Sequence, residues 1–588
     1  VNRTLLNPKM TFLLAILLSI LLLSSGFAQQ TVRASTEEAT LVLKNGIVYT
    51  MEKNHPSAEA VAVKDGKIIF VGSNAKADKY VGKNTKVIDL KGKMVSPGFL
   101  DGHTHVPGLW TSKLFAVDMT KLKSNQEYVQ AVADFKKNNP DVKIITGSGW
   151  LNGLYEQPDG TNPGPTKEDL DAVAPDVPVI LSSIDGHSVW VNSKALEMAG
   201  ITKDTIAPQG GLIERNPDGS PRGALRESSS LVADVRALAI LTKEQYKEAI
   251  LKFQEEAHSF GMTGFVNLSD DNGAIIEAMA ELEKEGKLTM RVANAIRVQP
   301  GDKPEDAVKK IQEARNKYTS DWLRVGTVKI FADGVTEGKT ALYLEHYSPN
   351  AGMGDHHHGD SIWKKEDMNK MVAALDKVGV QLHIHAIGDG AVNMALNSYE
   401  SAAKANGKRD SRHTITHISA IQDSDITRMG KMGIVASVQP FWFYKDQYYE
   451  LEKAMVGEER ALAMYPTRKM WNAGVTIASS SDFPPTPDYR PLFGLETGVT
   501  RNSPYPGEQE TDMVRNASQA LTVLEMLQTF TKNVAYEMHR SDLGSIKVGN
   551  RADMVVLGQD ITKGAHKNIS ETPVVYTISN GKVVYERK

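Results

Sequence analysis

The pattern of apolar and polar positions changes character twice along the chain. After residue 40, "LVLKNGIVYT", "AVAVKDGKIIFVG" and "KVIDLKGKMV" are short β-rich runs, and Asn45-Gly46 and Asp65-Gly66 between their arms are hairpin signals. The C-terminus repeats the style in "ADMVVLG" and "VVYTISNGKVVYERK", around Asn580-Gly581. Each end is too small to bury a core alone, so the two are expected to join in one sheet domain built from residues 40–98 and 541–588.

Between them, in residues 99–540, short β runs alternate with helical stretches. "GTVKIFADG", "VQLHIHAIGD", "HTITHISA", "IVASVQP" and "VTIASSSD" are the runs; "KEDMNKMVAALDKVG" and "AVNMALNSYESAAKAN" are typical helices. Such alternation over about 400 residues predicts an α/β chain with a parallel sheet, and a (β/α)8 barrel with insertions fits the length. Three β runs, "VKIITGSGW", "VPVILSSID" and "MTGFVNLSD", compete for strands two and three, so one is assigned to an inserted subdomain within roughly residues 109–255.

Composition narrows the chemistry. The 588 residues carry a formal net charge of -3, without the basic excess that nucleic acid requires. No cysteine is present, which removes disulfides, thiolate metal sites and cysteine nucleophiles together. Any metal must be held by His, Asp, Glu or a lysine derivative. At the N-terminus, Arg3 and Lys9 precede an apolar run from Met10 to Leu23 and the small residues of "SSGFAQQ". This describes a signal peptide, residues 1–28, cut after Ala28. The run is shorter than the ~20 residues of a spanning helix, so membrane contact is expected only during export, to a periplasmic or secreted location.

Function in a (β/α)8 barrel sits at the C-terminal ends of the strands. In "PGFLDGHTHV", His103 and His105 share one face of a strand end, and such a pair can grip one metal ion. Lys329 lies inside an apolar strand, where an ammonium is costly without a partner or a chemical change. His383 and His385, His413 and His417, and Asp482 fall at or near the ends of further predicted strands.

"MVSPGFLDGHTH", followed by a strand Lys, strand His residues and a final strand Asp, resembles the amidohydrolase superfamily. "DGHSVWVNSKAL", "GGLIERNPDGSPRGALRE", "VKIFADG" and "HIHAIGD" resemble more narrowly its amidohydrolase 3 branch, which contains N-substituted formamide deformylase. The resemblance runs from about residue 40 to the end and implies a composite β-sandwich beside the barrel. It implies that His103 and His105 bind the more buried metal, that Lys329 is carboxylated by carbon dioxide and bridges two ions, and that His385 and His417 hold the second. Asp482 then ligates or approaches the first metal and shuttles protons. By the same alignment His385 is preferred over His383, which becomes an orienting neighbour, and His417 over His413.

Further candidates are His187, as a hydrogen-bond donor to the substrate carbonyl, with Asp185 orienting it, and Trp150 and Trp442 as pocket walls. "HHH" at His356 to His358 is assigned to a solvated or lid loop. Asn267 stands where the branch often has an acid, and Ser480 where glycine is common.

The expected activity is hydrolysis of an amide-like C–N bond of a small molecule, such as an N-substituted formamide, by an enzyme with one or two divalent ions, zinc first. The same ligands serve ester hydrolysis, deamination or isomerisation, and a silent binding or regulatory protein is a further alternative. The sequence leaves a homodimer open.

Overall fold

The computed structural model describes residues 37–158, 162–184, 188–207, 212–226, 235, 241–269, 273–352, 356–508 and 511–588. Eight parallel strands form the central sheet: Phe99–Thr104, Met262–Asn267, Arg291–Arg297, Leu323–Phe331, Gln381–Ala386, Thr414–His417, Val435–Val438 and Thr476–Ser479. The first and last meet just beyond the ladder, through the parallel bridge Thr104 to Phe483 and the Asp482 N–H donating to His103 O at 2.9 Å. This nearly closes a (β/α)8 barrel.

Burial on both faces explains why the strands read as almost continuous apolar runs. In Gln381–Ala386 all six residues are buried; Leu382 and Ile384 pack outward on the helices, while Gln381, His383 and His385 take the inner positions. The lower interior is apolar: Leu100, Val266, Ala293, Val435 and Ala478 meet Val534, Ala535 and Met538 of a short helix, Lys532–Glu537, and its C-terminal edge. That helix lies under the strand starts. Gln381 Nε2 donates to Glu537 O and Arg412 Nη1 to Tyr536 O, both at 2.8 Å.

The two chain ends build a sandwich. A four-stranded sheet is wholly N-terminal; a six-stranded one joins Met94–Pro97 to the C-terminal Met554–Leu557 in antiparallel register, with Leu41, Val48, Val61, Val95, Val556 and Ile578 between the layers. Asp65-Gly66 and Asn580-Gly581 are two-residue hairpin turns with positive φ at all four positions, the type I′ geometry their sequences favour. Asn45-Gly46 is not a hairpin. Its flanking strands lie in different sheets, and a Cβ on Gly46 would come within 2.3 Å of Leu90 Cδ1, so this glycine serves close packing where the chain changes layer.

A third, six-stranded sheet spans Ala116–Asp118 to Pro221–Arg226 and forms the inserted subdomain. It takes two of the three competing β runs, Ile145–Trp150 and Val179–Ser183, rather than one. The barrel's third strand is Arg291–Arg297, from a run the pattern did not single out. That strand begins on a fully buried arginine. Arg291 sits 3.7 Å from the Trp322 ring, pairs with Asp553 at 3.2 Å and Asp321 at 2.9 Å, and donates to Asn580 Oδ1, which pins the sandwich to the barrel. Helix Lys243–Ser259 falls within the expected span of the insertion but packs on barrel strand Met262–Asn267 and on the C-terminal sheet. Among the described residues no helix is long and apolar enough to cross a membrane.

Candidate metal centre

His103, His105 and Asp482 converge at the mouth of the barrel, with one ligand atom from each lying within 4.8 Å of the others. Both Nε2 atoms are 3.2 Å from Asp482 Oδ1. Oδ1 is buried yet makes no hydrogen bond, so two imidazole nitrogens and a carboxylate oxygen face one point without bonding one another. Two imidazole nitrogens converging on a carboxylate oxygen that has no hydrogen bond fit a divalent cation of the nitrogen- and oxygen-binding type. Local backbone sets this arrangement: Asp482 has φ 63°, which swings its carboxylate toward the first strand.

Lys329 Nζ is 3.3 Å from His103 Nε2, fully buried. Burial brings the ammonium down to about 7, against the opposing pull of Asp482. A large share of free amine therefore exists at neutral pH, and the free amine is the form that can add carbon dioxide.

His385 and His417 stand beside this group, their rings 4.5 Å apart. Burial, then Lys329, lowers His385 to about 3; burial and its neighbouring His385 hold His417 well below the ordinary imidazole range. Both rings are thus neutral and able to ligate. His385 Nε2 lies 3.0 Å from Gly334 O, which leaves Nδ1 as its lone-pair atom, and His417 Nδ1 lies 3.0 Å from Gln439 Oε1, which leaves Nε2. Strand alternation alone would point His417 away from Thr416, out of the barrel. Positive φ at His417 (75°) and Ile418 (49°) turns it inward.

The remaining histidines separate. His383 lies deeper, its Nε2 3.2 Å from His103 Nδ1. His413 is outside the barrel wall, stacked on Tyr399, with Nε2 3.1 Å from Asp376 Oδ1 and Nδ1 accepting from Leu382 N–H. His356 and His358 pack against His346, edge-on and tilted respectively, and His357 Nε2 donates to Lys339 O at 2.7 Å; none of the three lines the cavity over the metal centre. Asp185 and His187 lie outside the described residues.

That cavity is about 310 Å³. From the histidines it runs past Phe331, Ile387 and Trp442 to Tyr465, Glu452 and Arg515. Trp442 lies parallel to His417, 12° between planes at 5.5 Å, with its Nε1 donating to Thr486. Trp150 does not belong to this wall. It is fully buried in the core of the inserted sheet, edge-on to Trp190, with Nε1 donating to Leu181 O, because its strand is part of that subdomain.

The roles of several supporting groups escaped the sequence reading. Asp333 closes the quoted "VKIFADG" run: its carboxylate accepts from Leu342, Ile387 and Gly388 N–H, lies 3.6 Å from His385 Nε2, and is raised by burial to about 7. Ser480 accepts from Gln439 Nε2 at 2.8 Å and so fixes the amide that orients His417. Asn267 accepts from Val106 N–H at 2.9 Å and donates to Asn294, bracing the turn after His105. Glu537 is buried with Thr414 as its nearest hydrogen-bonding side chain, and burial holds it well above the usual carboxylate range.

A family model described as the amidohydrolase family matches residues 86–585. Protein LONG AFTER FAR-RED 3 of Arabidopsis thaliana is 30% identical over 93% of this chain and 92% of its own length. N-substituted formamide deformylase of Arthrobacter pascens is 26% identical over 94% and 99%. Among solved structures, an uncharacterized metal-dependent hydrolase from Pyrococcus furiosus superposes with a TM-score of 0.71 at 26% identity, covering 89% of this chain and 100% of that one.

Proposed function

As the chain belongs to the amidohydrolase family, and is thereby a metal-dependent hydrolase of C–N bonds, we propose that it cleaves an N-substituted formamide or related amide whose nitrogen carries an apolar group. The observation that carries this reading is one cavity lined by His105 and Asp482 of the His103, His105 and Asp482 group and by Phe331, Ile387 and Trp442. The similarity to a formamide deformylase over nearly the whole of both chains supports the substrate class.

A divalent ion held by His103, His105 and Asp482 would supply Lewis acidity for water activation and carbonyl polarisation at neutral pH. The residues do the rest. Asp482, whose Oδ1 has no hydrogen bond to lose, takes a proton from the attacking water and passes it to the departing nitrogen. Protonation lets the C–N bond break to an amine and a carboxylic acid. His103, His385 and His417, which burial holds neutral, contribute lone pairs alongside His105, and carboxylated Lys329 would add the anionic oxygens with which His385 and His417 would hold a second ion, zinc in the first instance. The leader from Met10 to Leu23, with small residues before Gln29, supports export to the periplasm or medium.

The test uses full-length protein purified without chelator from bicarbonate-supplemented cells. Expected are about two equivalents of metal, a mature N-terminus at Gln29, and amine release from N-formyl and N-acyl amines that stops on chelation and returns with zinc. Zinc-loaded protein that turns over no member of such a panel refutes the substrate assignment, and an intact leader on the mature protein refutes export.

A further inference from the structure

The plug beneath the barrel is mostly apolar but holds one buried acid. Glu537, last residue of helix Lys532–Glu537, sends its side chain toward Gly102 and His383, at 1% exposure. Space has been kept for it: a Cβ on Gly102 would come within 2.7 Å of Glu537 Oε2. A buried carboxyl with so few partners costs stability, and an apolar residue would serve the plug better. Thr414 and His383 are its polar neighbours, and the second points at the metal centre. Oε1 is 3.5 Å from His383 Nδ1, His383 Nε2 is 3.2 Å from His103 Nδ1, and His103 Nε2 is the atom that faces Asp482 and Lys329.

We infer that Glu537, acting through His383, is a positioning residue for the metal centre that fixes His103 with its proton on Nδ1 and its lone pair on Nε2. The inference rests on the metal-site reading above. Thr416 Oγ1, 2.8 Å from His103 Nδ1, cannot set this choice, because a hydroxyl donates as readily as it accepts. An ionised carboxyl only accepts. It requires His383 to carry its proton on Nδ1, which leaves His383 Nε2 to accept from His103 Nδ1 and commits His103 Nε2 to the cation. The cation's charge two rings away favours the ionised acid that burial alone disfavours. Carboxylate–histidine–metal arrangements are a general means of orienting a ligand; here a second imidazole extends the reach to the opposite end of the barrel.

The experiment measures zinc affinity of metal-stripped full-length protein by competition with a chromophoric chelator, together with the thermal midpoint of each stripped protein. Glu537→Leu and His383→Leu are expected to weaken zinc about 10- to 100-fold. Glu537→Gln, which keeps an accepting oxygen, should lose less. A purely structural role predicts a lower midpoint for the stripped variants with zinc affinity equal to wild type, and that outcome overturns the inference. Should Glu537→Leu fail to fold, Glu537→Gln and His383→Leu decide: wild-type affinity in both overturns it equally. Wild-type protein that binds no zinc overturns instead the metal-site reading on which this one rests.

Discussion

At the base of the barrel, His258 and His413 have both ring nitrogens occupied: His258 by Met262 O and Thr289 Oγ1, His413 by Leu382 N–H and Asp376. At the mouth, each of His103, His105, His385 and His417 has one nitrogen held by the protein, while the other has only Lys329 Nζ as a partner in His103 and no hydrogen bond among the described residues in the other three. All six rings are buried or nearly so, so burial does not tell the groups apart. The distinguishing feature is incomplete satisfaction. A buried imidazole that folding alone required would resemble His258; one that leaves a lone pair facing three other donors is arranged for something outside the chain.

The sharpest way to break this comparison is at the residue the mouth histidines share. Asp482→Asn keeps the size and one oxygen but removes the proton-carrying carboxylate, and turnover should fall by about 10²- to 10⁴-fold with the thermal midpoint little changed. His413→Asn should do the opposite, lowering stability and leaving kcat within about twofold, since it touches only the wall outside the barrel. Steady-state kinetics with thermal melts on the two variants check both statements. Equal losses of activity would mean that the two ends of the strands are not functionally distinct.

The base end can be probed by acid. Burial lowers His258 to about 4, below its ordinary value of 6.5. The folded state therefore binds fewer protons than the unfolded chain over that interval: the stability involved is present above 6.5 and is lost as pH falls toward 4. The shift corresponds to about 3 kcal/mol. Urea midpoints between pH 7 and pH 4 should fall in wild type and fall less in His258→Gln. An unchanged slope in the variant would show that other groups carry the acid sensitivity.

What was legible in the sequence follows the same division. Residues that obey strand alternation were readable: His103 with His105, Lys329 between Val328 and Ile330, and His385 beyond Ile384 all fall on the inner face that period two assigns them. Where the backbone leaves that period the signal fails. His417 reaches the mouth only through two positive-φ residues, a feature its sequence does not announce, so the choice over His413 came from resemblance. The third barrel strand was missed because "RVANAIR" opens on Arg291 and carries Asn294, whose partners Asp553, Asn580 and Asn267 are distant in the chain. Glu537 is the extreme case, an acid on a six-residue helix with no motif around it, meaningful only once the barrel stands above it. Long-range pairing, unlike alternation, leaves no local trace.

Two tryptophans carry the smallest and most specific prediction. Trp150 and Trp442 each follow a β run and each was expected to wall the pocket, yet Trp150 is sealed in the inserted sheet while Trp442 is half-buried and lies flat against His417. A substrate bearing an apolar nitrogen substituent would exchange water contact for contact with the Trp442 ring. Trp442→Ala should therefore raise KM by about 10-fold, roughly the value of one aromatic contact, while kcat moves less because the metal donors stay in place. Trp150→Phe should leave both constants within about twofold and show its effect, if any, in the melt. The same pair also tests the orientation of the substrate. If Trp442→Ala lowers kcat and leaves KM alone, the ring holds His417 rather than the substituent, and the apolar group must lie instead toward Phe331 and Ile387, which also line the cavity.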